Sequence, residues 1–320
     1  MINQNEQPTR ASNGMNIIRY QKYFFLIPAT LALLAAVAIG TWGLKIGIDL
    51  AGGSLLEVSY VGERPAPAEV QQAVGGLGLG EVRVQPTGEQ GFILRQRDLT
   101  NEEHAALFEA LSSIQSPTSN LQLQELQFTS IGPSLGQELM QKAWIAIALI
   151  VVSIILFIAF VFRKVSKPVS SWKYGVVAIV TLAHDILLPV GLFAFLGYLV
   201  GAEVDSLFIV ALLTILGISI NDTIVVFDRI RENLAANEEA RRSEPFDEVV
   251  GRSISQTITR SINTSVTVVI VLVTLYFLGP EATKNFALTL MVGMVAGTYS
   301  SIFLASPLLV VWERFSKKKI

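Results

Sequence analysis

No cysteine occurs in the 320 residues, which excludes disulfides, thiolate metal ligands and cysteine nucleophiles. Histidine is almost as scarce. With only His104 and His184 present, a His-Asp metallohydrolase has too few ligands. Charge is thin as well, at 16% of residues, against about 25% in soluble domains. What fills the space is apolar: 51% of residues are hydrophobic and the mean hydropathy is +0.52. Long apolar runs make the chain a polytopic α-helical membrane protein.

Six spans are expected. Residues 1–21 are polar and aperiodic, and read as a cytoplasmic N-terminal segment. The first span covers 22–44 and exceeds the 7–15 residues of a signal-peptide core, so an uncleaved anchor is expected. The others are 142–162, 173–200, 206–228, 259–278 and 286–312. Residues 229–258 read as a charged cytoplasmic loop and 313–320 as a cytoplasmic tail. Arg and Lys collect before span one, in the turn holding Arg163, Lys164, Lys167 and Lys173, between spans four and five, and in the tail with Arg314, Lys317, Lys318 and Lys319. The positive-inside rule then places both termini in the cytoplasm and residues 45–141 outside.

That block, 45–141, is the one soluble-looking part. Strands are expected at Leu55–Tyr60, Glu81–Gln85, Phe92–Gln96 and Leu121–Phe128. Helices are expected from Pro67 and, capped by Asn101, from Glu102. The order β-α-β-β-α-β predicts a ferredoxin-like α+β domain. Carboxylates outnumber basic residues in it, so a nucleic-acid surface is not expected. His104 reads as a solvated helix residue. Gly52 and Gly53 permit a tight turn into the first strand.

The chemistry lies inside the membrane. A carboxylate in a span costs about 2.5–3.5 kcal/mol on insertion scales, so one that is kept is paired or used. Asp222, with Asn221, Thr223 and Ser219 near it, stands at the far end of span four. Span five runs antiparallel to it and opens with Arg260, which reaches a similar depth. From Arg260 a polar row continues through Asn263, Thr264, Thr267 and Thr274 at helical spacing. Two polar rows on neighbouring spans suit a hydrated proton path, with Asp222 as the protonatable group and Arg260 as its partner. A static buried ion pair or polar glue between helices fits the same spacing. His184 and Asp185 on span three either extend the relay or hold helices together. Two aspartates also raise the possibility of an intramembrane protease, but neither sits in a GxGD sequence. The row Gly293, Gly297 and Ser301 reads as close helix packing. No metal and no cofactor is expected, and no enzymatic activity.

Three motifs together carry a resemblance: GIDLAGGS after span one, GISINDTIVVFDRIREN ending span four, and SQTITRSINTS opening span five. They resemble the SecF family of protein translocase subunits, within the SecD/SecF family and the RND superfamily. The resemblance implies an accessory subunit of the Sec protein-export machinery in the cytoplasmic (inner) membrane. Its partners would be SecD, the SecYEG channel with the SecA motor, and the unfolded preprotein. With SecD it would use the proton motive force to promote late steps of translocation. Asp222 then matches the family's membrane aspartate, Arg260 its basic partner, and Asp49, Gly52 and Gly53 a hinge signature. Two rivals are a passive scaffold for the channel and an RND-type small-molecule exporter.

Overall fold

The computed structural model describes residues 17–62, 64–114, 122–161 and 169–317. The start of the chain to residue 16, the basic residues Arg163, Lys164 and Lys167, and the tail residues Lys318 and Lys319 lie outside them. The chain divides into two units: residues 46–145, and residues 1–45 with 146–320.

The smaller unit follows the expected element order. A one-turn helix α2 (Ile48–Ala51) leads into β1 (Gly53–Val61). Then come α3 (Pro67–Gly75), β2 (Arg83–Thr87), β3 (Gly91–Gln96), α4 (Asn101–Ser112) and β4 (Gln122–Ile131). The sheet order is β2-β3-β1-β4, and each neighbouring pair is antiparallel. Alternation on β1 puts Leu56, Val58 and Tyr60 on one face. They pack with Phe92 and Leu94 of β3, Val70 and Val74 of α3, and Leu107 and Leu111 of α4. The Tyr60 hydroxyl donates to Leu111 O at 3.2 Å, and burial pushes its pKa up to about 12. Thr100, rather than Asn101, is the N-cap of α4. It forms a capping box with Glu103. His104 corrects the expectation of a solvated side chain. Its ring stacks on Phe128 with centroids 3.8 Å apart, and its Nε2 lies 3.1 Å from Glu125.

The glycines at the start of β1 are required by the backbone. Gly52 and Gly53 have φ of +80° and +139°, open only to glycine at low cost. A Cβ on Gly52 would come within 2.7 Å of Pro133 Cα, and one on Gly53 within 2.7 Å of Gln96 O. Gly136 completes the crossing, since its Cβ would meet Gly52 N at 2.6 Å.

The larger unit is helical. Among the described residues, six helical segments are long and apolar enough to cross a membrane. They are α1 (Gln21–Trp42), α5 (Pro133–Val161), α6 (Ser171–Val200), α7 (Ser206–Glu239) and α8 (Phe246–Leu278). The sixth is α9 (Glu281–Ser300) continued by α10 (Ser306–Lys317). Several ends differ from expectation. Residues 229–258, read as a loop, are helical except for 240–245, because α7 and α8 both run on. Polar pairs at helical spacing and across the two helices hold the extensions together. Asp228 pairs with Arg231 at 2.6 Å, Arg229 with Glu232 at 2.7 Å, and Asn233 donates to Ser253 at 2.8 Å. At 34 residues, α7 is about 50 Å long, well beyond the roughly 30 Å of a bilayer core. α5 starts at Pro133 rather than 142, which suits proline at a first helical position.

The last span is broken at Ser301–Ala305, which forms a π-helical turn. Pro307 explains it. Proline has no N–H to give Phe303 O, and its ring collides with that carbonyl, so the helix widens there.

Small residues set the close helix contacts. A Cβ on Gly293 would collide with Ile215, and one on Gly297 would lie 3.0 Å from Ser219 Cβ. The expected small-residue row therefore packs α9 on α7. Gly191 of α6 meets Ala35 of α1 in the same way. Aromatic residues gather at both ends of the bundle. Trp172 and Trp312 are edge-to-face at 5.1 Å on one end, and Trp42 and Tyr198 stack at 5.0 Å on the other.

Candidate functional site

The middle of the bundle holds a polar cluster built from α6, α7 and α9. Its centre is Asp185, which is fully buried. Asp185 Oδ1 lies 2.9 Å from His184 Nδ1. Asp185 Oδ2 accepts from the Ser219 hydroxyl of α7 and, at 2.8 Å, from the Ser300 hydroxyl of α9. One carboxylate thus ties three spans. Ser300 is also the last residue before the π-helical turn. His184 is buried, and among the described residues its Nε2 has no hydrogen-bond partner.

Asp222 lies one turn beyond Ser219 on α7 and is buried, at 7% exposure. Among the described residues its side chain has no hydrogen bond and no ion pair within 4.0 Å. The Arg260 guanidinium on α8 nevertheless acts on it electrostatically across the α7–α8 pair. The two groups sit on neighbouring helices near one level, without direct contact. Thr223 Oγ1 and Ser261 Oγ are buried near this level without hydrogen-bond partners among the described residues. Such orphaned hydroxyls mark places where water or a moving group can enter.

The remaining predicted residues separate into two sets. Ser219, Asp222 and Thr223 are buried. Asn221, Arg260, Asn263, Thr264, Thr267 and Thr274 are exposed on this chain. The expected seam between two polar rows is therefore only half present. The α7 residues turn inward toward α6 and α9, while the α8 row forms an outward polar stripe among exposed Ile262, Val266, Ile270 and Val271. What α8 turns inward is Ser261 and Ser265, the latter hydrogen-bonded to Thr298 of α9. Asp49 sits half-buried in the one-turn helix α2, ahead of the two glycines.

Sequence reasoning missed the Ser300 contact and the pairing of Ser219 with Asp185. The serine next to a run of small residues on the last span was the available signal. Its direction was not readable without the π-helical turn.

The family model described as "Protein export membrane protein SecD/SecF, C-terminal" matches residues 111–315. A protein translocase subunit SecF from Thermobaculum terrenum is 41% identical over 311 residues, covering 93% of this chain and 94% of that protein. One from a Synechocystis strain is 34% identical, covering 95% of this chain and 96% of that protein. Among solved structures, SecDF from Thermus thermophilus, described as a translocon-associated membrane protein, superposes with a TM-score of 0.78 at 32% identity. That match covers 93% of this chain, which spans 38% of the SecDF chain's length.

Proposed function

The chain belongs to the SecD/SecF family of protein-export membrane proteins, and from that premise we propose that it works as the SecF-type half of a proton-driven accessory to the Sec machinery. Its partner in the membrane is a SecD-type half. Together they act beside the SecYEG channel and the SecA motor in the cytoplasmic membrane, promoting late steps of preprotein translocation. Both termini face the cytoplasm and residues 45–141 lie outside, consistent with Arg19, Lys22, Lys173 and Arg314 at one end of the bundle.

The observation that carries the proposal is the state of Asp222. It is buried in a span, has no direct partner among the described residues, and feels the charge of Arg260 on the neighbouring helix. A buried carboxylate is stabilised either by a proton or by an approaching counter-charge. Moving Arg260 toward or away from Asp222 exchanges one for the other, and so couples helix motion to proton uptake. A proton falling through 100 mV releases about 2.3 kcal/mol, enough to bias a modest rearrangement.

Asp185 supports this site. Its bonds to Ser219 and Ser300 fix the turn of α7 that carries Asp222, and His184 gives it a second titratable neighbour. We assign it a secondary place in the relay. The outward row of Asn221, Arg260, Asn263, Thr264 and Thr267 supports the partner. Polar groups left against hydrocarbon are costly, and a second transmembrane half covering this stripe removes that cost. Asp49, Gly52 and Gly53 form the hinge that passes movement to the outer domain.

Asp222→Asn tests the reading against a passive scaffold. The variant is expected to fold, insert and pair, and to lose stimulation of export by tenfold or more. Full stimulation by that variant removes the proton-driven reading and leaves the scaffold.

A further inference from the structure

At the end of the bundle where α1 and α8 begin and α10 closes, there is a cavity of ≈ 420 Å³. It is lined by Arg19, Gln21, Lys22, Asp247, Glu248 and Arg314, with Tyr20 and Tyr23 at its rim. Two of its charges satisfy each other, since Arg314 pairs with Asp247 at 2.8 Å. The others are left over. Among the described residues Arg19, Lys22 and Glu248 have no ion-pair partner, and Arg19 only overlies the Tyr20 ring at 5.9 Å. Among the described residues the buried Gln21 Oε1 has no donor.

These leftovers describe a ligand. Arg19 and Lys22 offer donors to an anion with several acceptor oxygens, such as a phosphate. Glu248 and Gln21 Oε1 call for a cation that carries N–H donors. A free phosphate meets only the first need. A quaternary amine has charge but no N–H, and a glycerol headgroup has no cation.

The surroundings show where such a ligand comes from. Tyr20 and Tyr23 are 49% and 72% exposed at the start of a span, the level of a membrane interface. From Tyr23 an exposed apolar face continues down α1 through Leu26, Ile27 and Leu31, a track for acyl chains. We propose that this cavity holds the headgroup of a zwitterionic, primary-amine phospholipid, phosphatidylethanolamine being the type, with its chains along α1. The phosphate sits against Arg19 and Lys22, and the ammonium donates to Glu248 and Gln21 Oε1. Clamping α1 to α8 and α10 in this way fixes the helix end nearest the charged extensions. The assignment does not rest on proton coupling at Asp222.

The test is a lipid titration of the full chain, purified in detergent and read by native mass spectrometry. The lipids are phosphatidylethanolamine, phosphatidylcholine and phosphatidylglycerol with identical chains. The wild type is expected to retain phosphatidylethanolamine about tenfold better than either of the others. Glu248→Gln is expected to remove that preference while leaving phospholipid binding, and Glu248→Asp to keep it. Arg19→Gln with Lys22→Gln is expected to lower retention of all three by tenfold or more. All three positions are exposed, so melting temperatures should be unchanged. Equal retention of the ethanolamine and choline lipids, or preference for the glycerol lipid, overturns the proposal. So does displacement of bound lipid by chainless phosphoethanolamine at equal concentration, which marks a site for a soluble ligand. Lipid retention that rises severalfold when residues 2–16 are deleted also overturns it, because the chain's own start is then the occupant.

Discussion

The Ser219 hydroxyl donates to the Asp185 carboxylate from the turn of α7 that precedes Asp222. Ser300 donates to the same carboxylate oxygen from α9. The buried acid of one span is thereby linked, through one serine, to the position of the buried acid of another. This link gives Asp185 a role that differs from that of Asp222, and the two are separable by substitution.

Asp185→Ala removes the acceptor of the buried Ser219 hydroxyl and the partner of His184, while Ser300 keeps Gly297 O as an acceptor. Each orphaned polar group costs about 1–3 kcal/mol, moderated in membranes where other partners are found. We expect a loss of about 2–4 kcal/mol in unfolding measured in detergent. Asp185→Asn keeps an acceptor oxygen and is expected to lose about half as much. Equal stability of wild type and alanine variant would contradict the helix-tying role.

Gly293→Val places two methyl groups where Ile215 already sits. Overpacking of this kind costs about 1–3 kcal/mol. The pair Gly293→Val with Ile215→Ala should recover most of the loss in the same unfolding assay, because the second change removes the side-chain atoms that the valine meets. No recovery would mean that the α7–α9 contact is not what limits the site.

The smaller unit offers a pH test. Arg97 bonds and the Thr100 backbone N–H hold the Glu103 carboxyl down to about 2. The folded value lies below the unfolded one near 4.5. The stabilisation is therefore complete above about pH 4.5 and lost as the pH falls through about 2. Hydrogen exchange at the first turn of α4 in the full chain should be faster in Glu103→Gln than in wild type at neutral pH. The difference should narrow through the acid range and vanish below about pH 2. A difference independent of pH would assign the effect to the side-chain amide geometry instead.

Much of this architecture was legible in the sequence for identifiable reasons. Apolar runs gave the six spans. Alternation and turn residues gave the β-α-β-β-α-β order, and Gly52-Gly53 marked a turn that the positive φ values require. Three features were not legible. The α7 and α8 extensions carry charge on most faces, and residues such as Arg229, Asn233 and Gln256 bond each other only once the helices are side by side. The π-helical turn follows from Pro307, but a proline in an apolar run does not reveal whether the helix kinks, widens or ends. Periodicity placed Ser219, Asp222 and Thr223 together without telling which neighbour they face. Asp185 and Ser300 decide that, from 34 and 81 residues away.

The central claim is that Asp222 gains and loses a proton within the folded membrane unit. Infrared difference spectroscopy of the chain reconstituted with the proposed SecD-type partner, titrated across pH, reads this directly. A protonated-carboxyl band is expected whose intensity changes with pH, which is absent in Asp222→Asn and shifts in its titration when Arg260 is replaced by Gln. Superimposable spectra for wild type and Asp222→Asn at every pH would contradict it.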